Sequence, residues 1–249
     1  MCRLIRLHLL KYHTQTQILK ADTLSEVHRA QDSLQYITDI KFSPNGEVLA
    51  VASNDGSVYL YEIDNEWNLR ATFKKHLSAV THLDFDTNSE FLQTNDKTYE
   101  LLFSNVADGR HIPDSKALRD IEWASQTCVL GWPVQGIWPE GARLADINCC
   151  SRSHDQMLVA TGDDFAQVKL FNYPCVEKSS GFKTFLGHSS HVTNVSFSKQ
   201  DEYLVSVGGS DRYVRKFRSY FSVRTNKKEL SWVIRCFSNL GQLGFLTTQ

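Results

Sequence analysis

Apolar and polar residues alternate along residues 188–217 in three short runs, a pattern typical of half-buried β-strands. The runs cover residues 192–197, 203–207 and 213–217. Polar or glycine-containing breaks separate them, which favours tight turns between antiparallel strands. We therefore predict an antiparallel sheet, with the preceding segment 182–185 as its fourth strand.

The same pattern recurs upstream, in residues 37–61, 76–103 and 157–171. One aspartate at the turn before the third strand marks each copy. These aspartates are Asp55, Asp96, Asp164 and Asp211, and they lie 41, 68 and 47 residues apart. Two of the spacings are close to the roughly 40–45 residues of a WD40 propeller blade, and the longest leaves room for an insertion. The sequence predicts an all-β fold: part of a WD40-type β-propeller, with about four to five four-stranded antiparallel blades.

The repeats divide the chain into three regions. Residues 1–32 are poorly assigned and hold either the outer strand of a preceding blade or a loop. Residues 33–217 are predicted to form the blades, with an insertion at 104–146 in which residues 121–129 favour a strand. Residues 218–249 are a divergent tail that either forms an incomplete blade or closes the last one.

Composition and charge exclude some classes of function. The chain has 249 residues, of which 41% are hydrophobic and 22% charged, and its net charge is −1. This balance gives no long-range attraction to nucleic acid or to anionic membranes. No apolar run approaches the roughly 18–20 residues of a membrane span. The six cysteines lack the spacing of a disulfide framework, which favours buried thiols of an intracellular protein, and no signal peptide is expected.

Seven stretches between residues 123 and 195 carry a more specific signal. They are WASQTCVLG (123–131), GIWPEG (136–141), DIN (146–148), TGDDF (161–165), VKLF (168–171), YPC (173–175) and GHSSHVTNV (187–195). In this order they resemble the echinoderm microtubule-associated protein-like (EML) family, and the resemblance extends over roughly residues 33–217. It implies the C-terminal part of that family's tandem atypical WD40 propeller domain.

The resemblance also implies a function. Members of the family associate with microtubules and tubulin, so we expect a non-enzymatic protein of the cytoplasm and the microtubule cytoskeleton, without nucleic-acid or membrane partners. The alternative is a general WD40 scaffold for a complex without tubulin. The hydrophobic signature motif and the N-terminal coiled coil of the family are missing from the sequence, so we expect a fragment, a truncated isoform or one piece of a larger member.

In WD repeats a histidine, a serine or threonine and an aspartate commonly hydrogen-bond within one blade. Two such networks are predicted here, and they consist of His76, Thr94 and Asp96, and of His188, Ser206 and Asp211. Asp55 and Asp164 are predicted as the turn aspartates of the other two copies. Buried polar groups must be paired, so we assign these residues a structural role.

We assign no catalytic, cofactor-binding or metal-binding residue. His188 and His191 have the spacing of two ligands on one element, but no third ligand and no zinc motif accompanies them. The turn dipeptide Asp163 and Asp164 is interpreted as one repeat aspartate and one solvated residue.

Two groups of residues are candidates for partner binding. Trp132 and Trp138, together with Trp123, form either an exposed recognition patch or packing of the insertion against the blades. Arg212 and Arg215 belong to a basic cluster that extends into the tail, and this cluster is either a contact for an acidic partner or a solvated edge.

Overall fold

The computed structural model describes residues 5–7, 14–20, 22–138, 146–178, 180–222 and 227–231, with the backbone alone for 5–7 and from 218 onward. The chain divides into two compact units, Met1–Leu130 and Gly131–Gln249. Both units consist of antiparallel sheets, and the described residues add two short 3-10 helices. None of the described helices is long and apolar enough to cross a membrane.

The first unit contains three sheets. Their strands are β1 (Ile5–Leu7), β2 (Thr16–Lys20), β3 (Glu26–Ala30), β4 (Ile37–Phe42), β5 (Val48–Ser53), β6 (Val58–Glu62), β7 (Asn68–Phe73), β8 (Val80–Phe85), β9 (Phe91–Asp96) and β10 (Leu101–Asn105). Neighbours in sequence are neighbours in each sheet, which gives β1-β2-β3, β4-β5-β6-β7 and β8-β9-β10. We call the second sheet blade A and the third blade B.

The N-terminal sheet differs from the sequence prediction. Residues 1–32 were expected to hold one outer strand or a loop, but β1, β2 and β3 form a three-stranded sheet. Ile18 in β2 is 1% exposed and packs with Ile37 and Leu49 of blade A. Ile18 and the partly buried Ala30 therefore join this polar segment to the core.

The core of the first unit lies between blades A and B. Leu60 and Phe73 of blade A pack with Leu83 and Phe85 of blade B. All six residues of β5 are buried, because this inner strand is covered on both faces. Burying a side chain of this size contributes about 1.5–3 kcal/mol. Stacking of neighbouring blades is therefore what stabilises these sheets.

The second unit contains two four-stranded sheets. Their strands are β11 (Ile147–Arg152), β12 (Leu158–Asp163), β13 (Val168–Asn172), β14 (Phe182–Phe185), β15 (Val192–Phe197), β16 (Tyr203–Gly208), β17 (Val214–Ser222) and β18 (Lys227–Ser231). The orders are β11-β12-β13-β14, which we call blade C, and β15-β16-β17-β18, which we call blade D. A core that includes Ala160, Val192 and Phe217 joins the two blades.

The segment Phe182–Phe185 belongs to blade C, and its predicted place in the sheet of residues 188–217 is wrong. It pairs with β13, and the rings of Phe171 and Phe182 lie 5.3 Å apart. The strand follows β13 directly in the chain, so the hairpin forms without a crossover.

The fourth strand of blade D comes from the divergent tail. β17 continues to Ser222 and pairs with β18 in the register Arg218 to Ser231. Residues 223–226 and 232–249 lie outside the described residues.

A one-residue bulge recurs at one position in all four blades. The first and second strands change register between Ile37 and Asp39, Val80 and His82, Ile147 and Cys149, and Val192 and Asn194. A bulge re-aims the strand that carries it and increases the local twist. Its recurrence shows that the blades repeat one backbone geometry.

The insertion is divided between the units. Residues up to Leu130 pack on blade B, with a 3-10 helix at Ser115–Leu118 and Trp123 stacked on Phe103 at 5.9 Å. A second 3-10 segment, Trp132–Ile137, packs on the second unit, where the backbone N–H of Gly136 donates to the carbonyl of Cys175 at 2.7 Å.

The strand predicted at residues 121–129 is reduced to one isolated bridge, between Asp86 and Trp123. Beyond the bridge, the N–H groups of Thr127 and Cys128 donate to the Asp84 carboxylate at 2.9 and 2.8 Å. The Asp84 side chain thus accepts the hydrogen bonds that a neighbouring strand would otherwise accept.

Candidate functional site

The network of blade D brings its three predicted residues together. His188 Nε2 lies 2.7 Å from Ser206 Oγ, and His188 Nδ1 lies 2.9 Å from Asp211 Oδ2. The side chains of His188 and Asp211 are each 1% exposed. Burial alone would raise the pKa of Asp211, but hydrogen bonds from the N–H of Tyr213, from His188 and from the N–H of Ser189 lower it.

In blade B the same arrangement is looser. His76 Nε2 lies 2.7 Å from Thr94 Oγ1, but Nδ1 is 3.3 Å from Asp96 Oδ2. Burial lowers the pKa of His76, and the Asp96 charge opposes that shift only in part. Burial acts to raise the pKa of Asp96, but hydrogen bonds from Glu100 and Thr98 lower it. The network therefore holds a neutral imidazole against an ionised carboxylate.

His76, Asp96 and Glu100 also place three ligand-type atoms within 4.8 Å of one another. Glu100 is exposed, and its carboxylate is 4.0 Å from His76 Nδ1. Blade D has the same imidazole–carboxylate pair at hydrogen-bond distance and without a third ligand type. At 3.3 Å, His76 Nδ1 and Asp96 Oδ2 do not form a hydrogen bond, and we interpret them as part of the blade network because the corresponding pair of blade D is hydrogen-bonded.

Blade A replaces the histidine with a serine. Ser33 Oγ lies 2.7 Å from Ser53 Oγ and 2.9 Å from Asp55 Oδ2, and the Tyr59 hydroxyl donates to the same carboxylate oxygen at 2.7 Å. Burial would raise the pKa of Asp55, but the bonds from Tyr59, Ser33 and Ser57 lower it. Ser33 stands at the repeat position that His188 occupies in blade D, so it can be located from the sequence. The sequence pattern does not indicate that Ser53 and Tyr59 belong to the network.

In blade C the buried turn carboxylate is Asp163, not the predicted Asp164. Asp163 is 1% exposed and accepts from the N–H groups of Phe165 and Gln167 at 3.0 and 2.9 Å. Lys169 Nζ lies 2.8 Å from its other oxygen. Asp164 is exposed and accepts from the Asn148 amide at 2.8 Å.

Asp96 and Asp163 both end a second strand and accept from residues two and four positions later. Asp55 and Asp211 lie within the turn that follows the strand. The turn carboxylate thus occupies one of two positions in each blade. The predicted series of one equivalent aspartate per blade does not describe this arrangement.

The first unit holds a buried polar cluster that was not predicted from the sequence. Lys41 of β4 and Asp84 of β8 pair at 2.5 Å, and the Asp84 side chain is 0% exposed. Lys41 Nζ also donates to Thr127 and, at 3.2 Å, to Ser125. Burial acts against both charges, but their mutual attraction raises the pKa of Lys41 and lowers that of Asp84.

This cluster joins blades A and B to the insertion. Asp84 follows Lys41 by 43 residues, and Thr127 follows Asp84 by another 43. This spacing is about one blade length. The spacing is a usable signal, but it is visible only after the blades have been aligned.

The three tryptophans differ in burial. Trp123 is 3% exposed in the cluster with Phe103 and Leu118, so it is a core residue of the first unit. Trp132 and Trp138 are half-buried and lie at the two ends of the 3-10 segment in the second unit.

The two arginines differ in exposure. Arg212 is exposed at the turn before β17, with a φ of 56°. Arg215 is half-buried, with its guanidinium 5.9 Å from the ring of Tyr213 and close to the backbone of Gly187. Arg212 is therefore the more accessible of the two. The rest of the predicted basic cluster, apart from Lys216, lies beyond the residues whose side chains are described.

A surface groove of about 380 Å³ lies between the turns of blades A and B. Its lining includes Glu47 and Glu90 as well as Arg70, whose Nε donates to the Ala107 carbonyl at 3.2 Å. Charges of both signs line this open groove.

Comparison with known proteins identifies relatives over most of the chain. Residues 11–219 match the family model of the echinoderm microtubule-associated protein second beta-propeller. The 77 kDa echinoderm microtubule-associated protein of Lytechinus variegatus is 46% identical over 175 residues, which is 69% of this chain and 26% of that protein. Echinoderm microtubule-associated protein-like 1 of Rattus norvegicus is 40% identical over 190 residues, which is 75% of this chain and 23% of that protein.

Echinoderm microtubule-associated protein-like 2 of Rattus norvegicus is 41% identical over 204 residues, or 81% of this chain and 31% of that protein. The chain therefore spans less than a third of each of these relatives. The predicted resemblance to this family is confirmed by the family model and by these identities.

A solved structure shows the fold independently. The Cps50 (Swd1) β-propeller domain of Myceliophteria thermophila superposes with a TM-score of 0.57 at 10% identity, covering 91% of this chain and 66% of that one. At this identity the likeness concerns the fold alone. The predicted all-β, WD40-type propeller architecture is confirmed.

Proposed function

Because the chain belongs to the echinoderm microtubule-associated protein family, we propose that it binds tubulin or microtubules through the surface loops of its blades. The observation that carries the proposal is the match of residues 11–219 to the second propeller of that family. The relatives that share 40–46% identity are named as microtubule-associated proteins. This function places the chain in the cytoplasm, on the cytoskeleton.

The proposed role is that of a non-enzymatic scaffold. The buried histidines of blades B and D form hydrogen bonds within their own blade, His76 with Thr94 and His188 with Ser206 and Asp211. Networks of this kind fix loop geometry rather than supply a reactive group. Rigid loops are suited to protein recognition, because little conformational entropy is lost when they bind.

In the second unit, the residues that we propose to contact the partner are those selected from the sequence. Arg212 is exposed and carries a full charge at neutral pH, so it suits the rim of an interface. Trp132 and Trp138 are half-buried, and a side chain of this type gains most when a partner covers its remaining surface. Arg215 is half-buried, with its guanidinium 5.9 Å from the ring of Tyr213.

Gel filtration with free tubulin dimer tests this proposal. The 249-residue chain and tubulin are expected to co-elute earlier than either alone, and an Arg212→Glu variant is expected to shift less. Ser189→Ala, an exposed change in the same unit, serves as the matched control. Separate elution of a folded chain contradicts tubulin-dimer binding and favours a scaffold for a different complex.

A further inference from the structure

Two leucines on the first unit are almost completely exposed. Leu34 is 85% exposed and Leu77 is 95% exposed, the highest values among the large hydrophobic residues described. Each directly follows a buried network residue, Ser33 or His76, at the loop that enters a blade. A scattered exposed leucine is ordinary, but these two occupy the same repeat position in adjacent blades.

The fold does not require an apolar residue at this position. In blade D the residue that follows His188 is Ser189, and it is also exposed. The same backbone therefore accommodates serine, so the leucines contribute little to folding while they expose apolar surface to water.

The two leucines lie on loops joined by a single turn. Ser33, beside Leu34, donates to Asp55 at 2.9 Å. Gly56, which follows Asp55, has a φ of 81°. A Cβ at this glycine would lie 2.9 Å from the carbonyl oxygen of His76 and 3.1 Å from that of Ser78. The turn of Asp55 and Gly56 thus touches the backbone on both sides of Leu77. The buried network residues hold both loops in place before any partner arrives.

Three lysines flank these loops. Lys74 and Lys75 are exposed and immediately precede His76. Lys97 is exposed, its N–H donates to the Ala79 carbonyl at 3.0 Å, and its Nζ lies 3.4 Å from the neutral Asn54 side chain. Within the described part of the chain, none of the three forms an ion pair.

Two carboxylates beside these loops are already engaged. Asp55 accepts from Ser33, Ser57 and Tyr59, and Asp32 accepts from the Tyr61 hydroxyl at 2.7 Å. These bonds hold the two carboxylates in place, whereas the lysine side chains are flexible. An acidic partner therefore meets three cations without displacing an internal ion pair.

We propose that Leu34, Leu77, Lys74, Lys75 and Lys97, the leucine–lysine surface, dock an acidic segment of a partner protein that carries apolar side chains. The leucines supply apolar area and the lysines supply charge complementarity. Three lysines are fewer than the about four to eight of a polybasic lipid-binding cluster, which favours a protein over an anionic membrane. The proposal does not depend on tubulin being the partner.

Fluorescence anisotropy with synthetic peptides tests the proposal. The probe is a labelled glutamate-rich peptide with two leucines, compared with one that has serine for leucine and one that has lysine for glutamate. We expect the 249-residue chain to bind the first peptide saturably and in a salt-sensitive manner. The other two are expected to bind at least about tenfold more weakly.

Variants assign the binding to this surface. The double variant Leu34→Ser and Leu77→Ser adopts the residue that blade D uses, so it is expected to fold and to bind about tenfold more weakly. Lys74→Glu with Lys97→Glu should also weaken binding and change its dependence on salt. Leu186→Ser, an exposed leucine of the second unit at 67%, is the matched control and should not change it.

Two results overturn the proposal. The first is equal affinity of the leucine and serine peptides, or of the wild type and the double leucine variant, with circular dichroism showing that each protein is folded. The second is that vesicles containing phosphatidylserine sediment the wild type but not the double variant while the peptides do not bind. That result assigns the surface to a membrane instead.

Discussion

A carboxylate secures the turn of each blade, and its position in the chain varies by two or three residues between blades. Asp211 and Asp55 lie in the turn, whereas Asp96 and Asp163 end the strand before it. The His188 network follows the repeat pattern and can be predicted from sequence. Asp163 cannot be distinguished from Asp164 in this way, because only the backbone path decides which of two adjacent residues points inward.

The pair Asp163 and Asp164 gives a direct comparison of a buried and an exposed carboxylate. Asp163→Asn removes the charge that faces Lys169 and two backbone N–H groups, so we expect a loss of about 1–3 kcal/mol in the free energy of unfolding. Asp164→Asn changes an exposed group and should stay within about 0.5 kcal/mol. Urea unfolding of both variants measures this, and equal effects would contradict the assignment.

His76 should make the first unit sensitive to mild acid. Its pKa in the folded chain is below the ordinary value of 6.5, so the unfolded chain binds the proton more readily. The stability due to neutral His76 is fully present above pH 6.5 and is lost as the pH falls through the lower pKa of the folded state. Between pH 7.5 and 5.5 we expect a loss of up to about 1 kcal/mol.

Hydrogen exchange of peptides that cover β9 measures this effect locally. Protection should decrease at pH 5.5 after correction for the intrinsic exchange rate, and His76→Gln should reduce the dependence on pH. The carboxylates with lowered pKa values, such as Asp96, lose their contribution only at more acid pH. An unchanged pH dependence in the variant would show that His76 is not the titrating group.

Among the elements, most strands can be predicted from the apolar pattern, whereas the structure of the insertion cannot. The runs that became β4 to β6 and β15 to β17 are visible in the sequence because their inward residues recur at blade spacing. Residues 121–129 have strand-like composition, but the Asp84 carboxylate binds the N–H groups of Thr127 and Cys128. A tertiary hydrogen bond of this kind overrides local propensity and leaves no local signal.

The Lys41–Asp84 pair should hold β4, β8 and residues 125–128 together. Lys41→Met leaves Asp84 buried without its cation, and the expected loss is about 3–5 kcal/mol. Lys169→Met breaks a pair whose lysine is equally exposed, at 20%, but which lies within one blade, so it is the matched control. The control is expected to lower stability without changing hydrogen exchange in other blades.

Hydrogen exchange distinguishes the role of this pair from local support. Lys41→Met should increase exchange in both β8 and residues 125–128, because the carboxylate receives donors from both sides. Faster exchange confined to β4 would mean that the pair does not couple these elements.

At the scale of the molecule, the chain consists of two units of stacked blades, each with its own core. Blade stacking depends on nearest neighbours, so most of the fold can be predicted from one well-defined repeat. The three-stranded N-terminal sheet and the strand β18 were not predicted as such, because they lack the histidine and aspartate offsets that mark the other repeats.

Co-sedimentation with stabilised microtubules tests whether these blades bind the microtubule lattice. The purified, monodisperse chain should pellet with microtubules in a saturable way, and added salt should reduce the bound fraction, because rim charges contribute to the contact. Heat-denatured chain and microtubule-free samples set the background. A folded chain that stays in the supernatant at saturating microtubule concentration would contradict the claim that these blades bind the microtubule lattice.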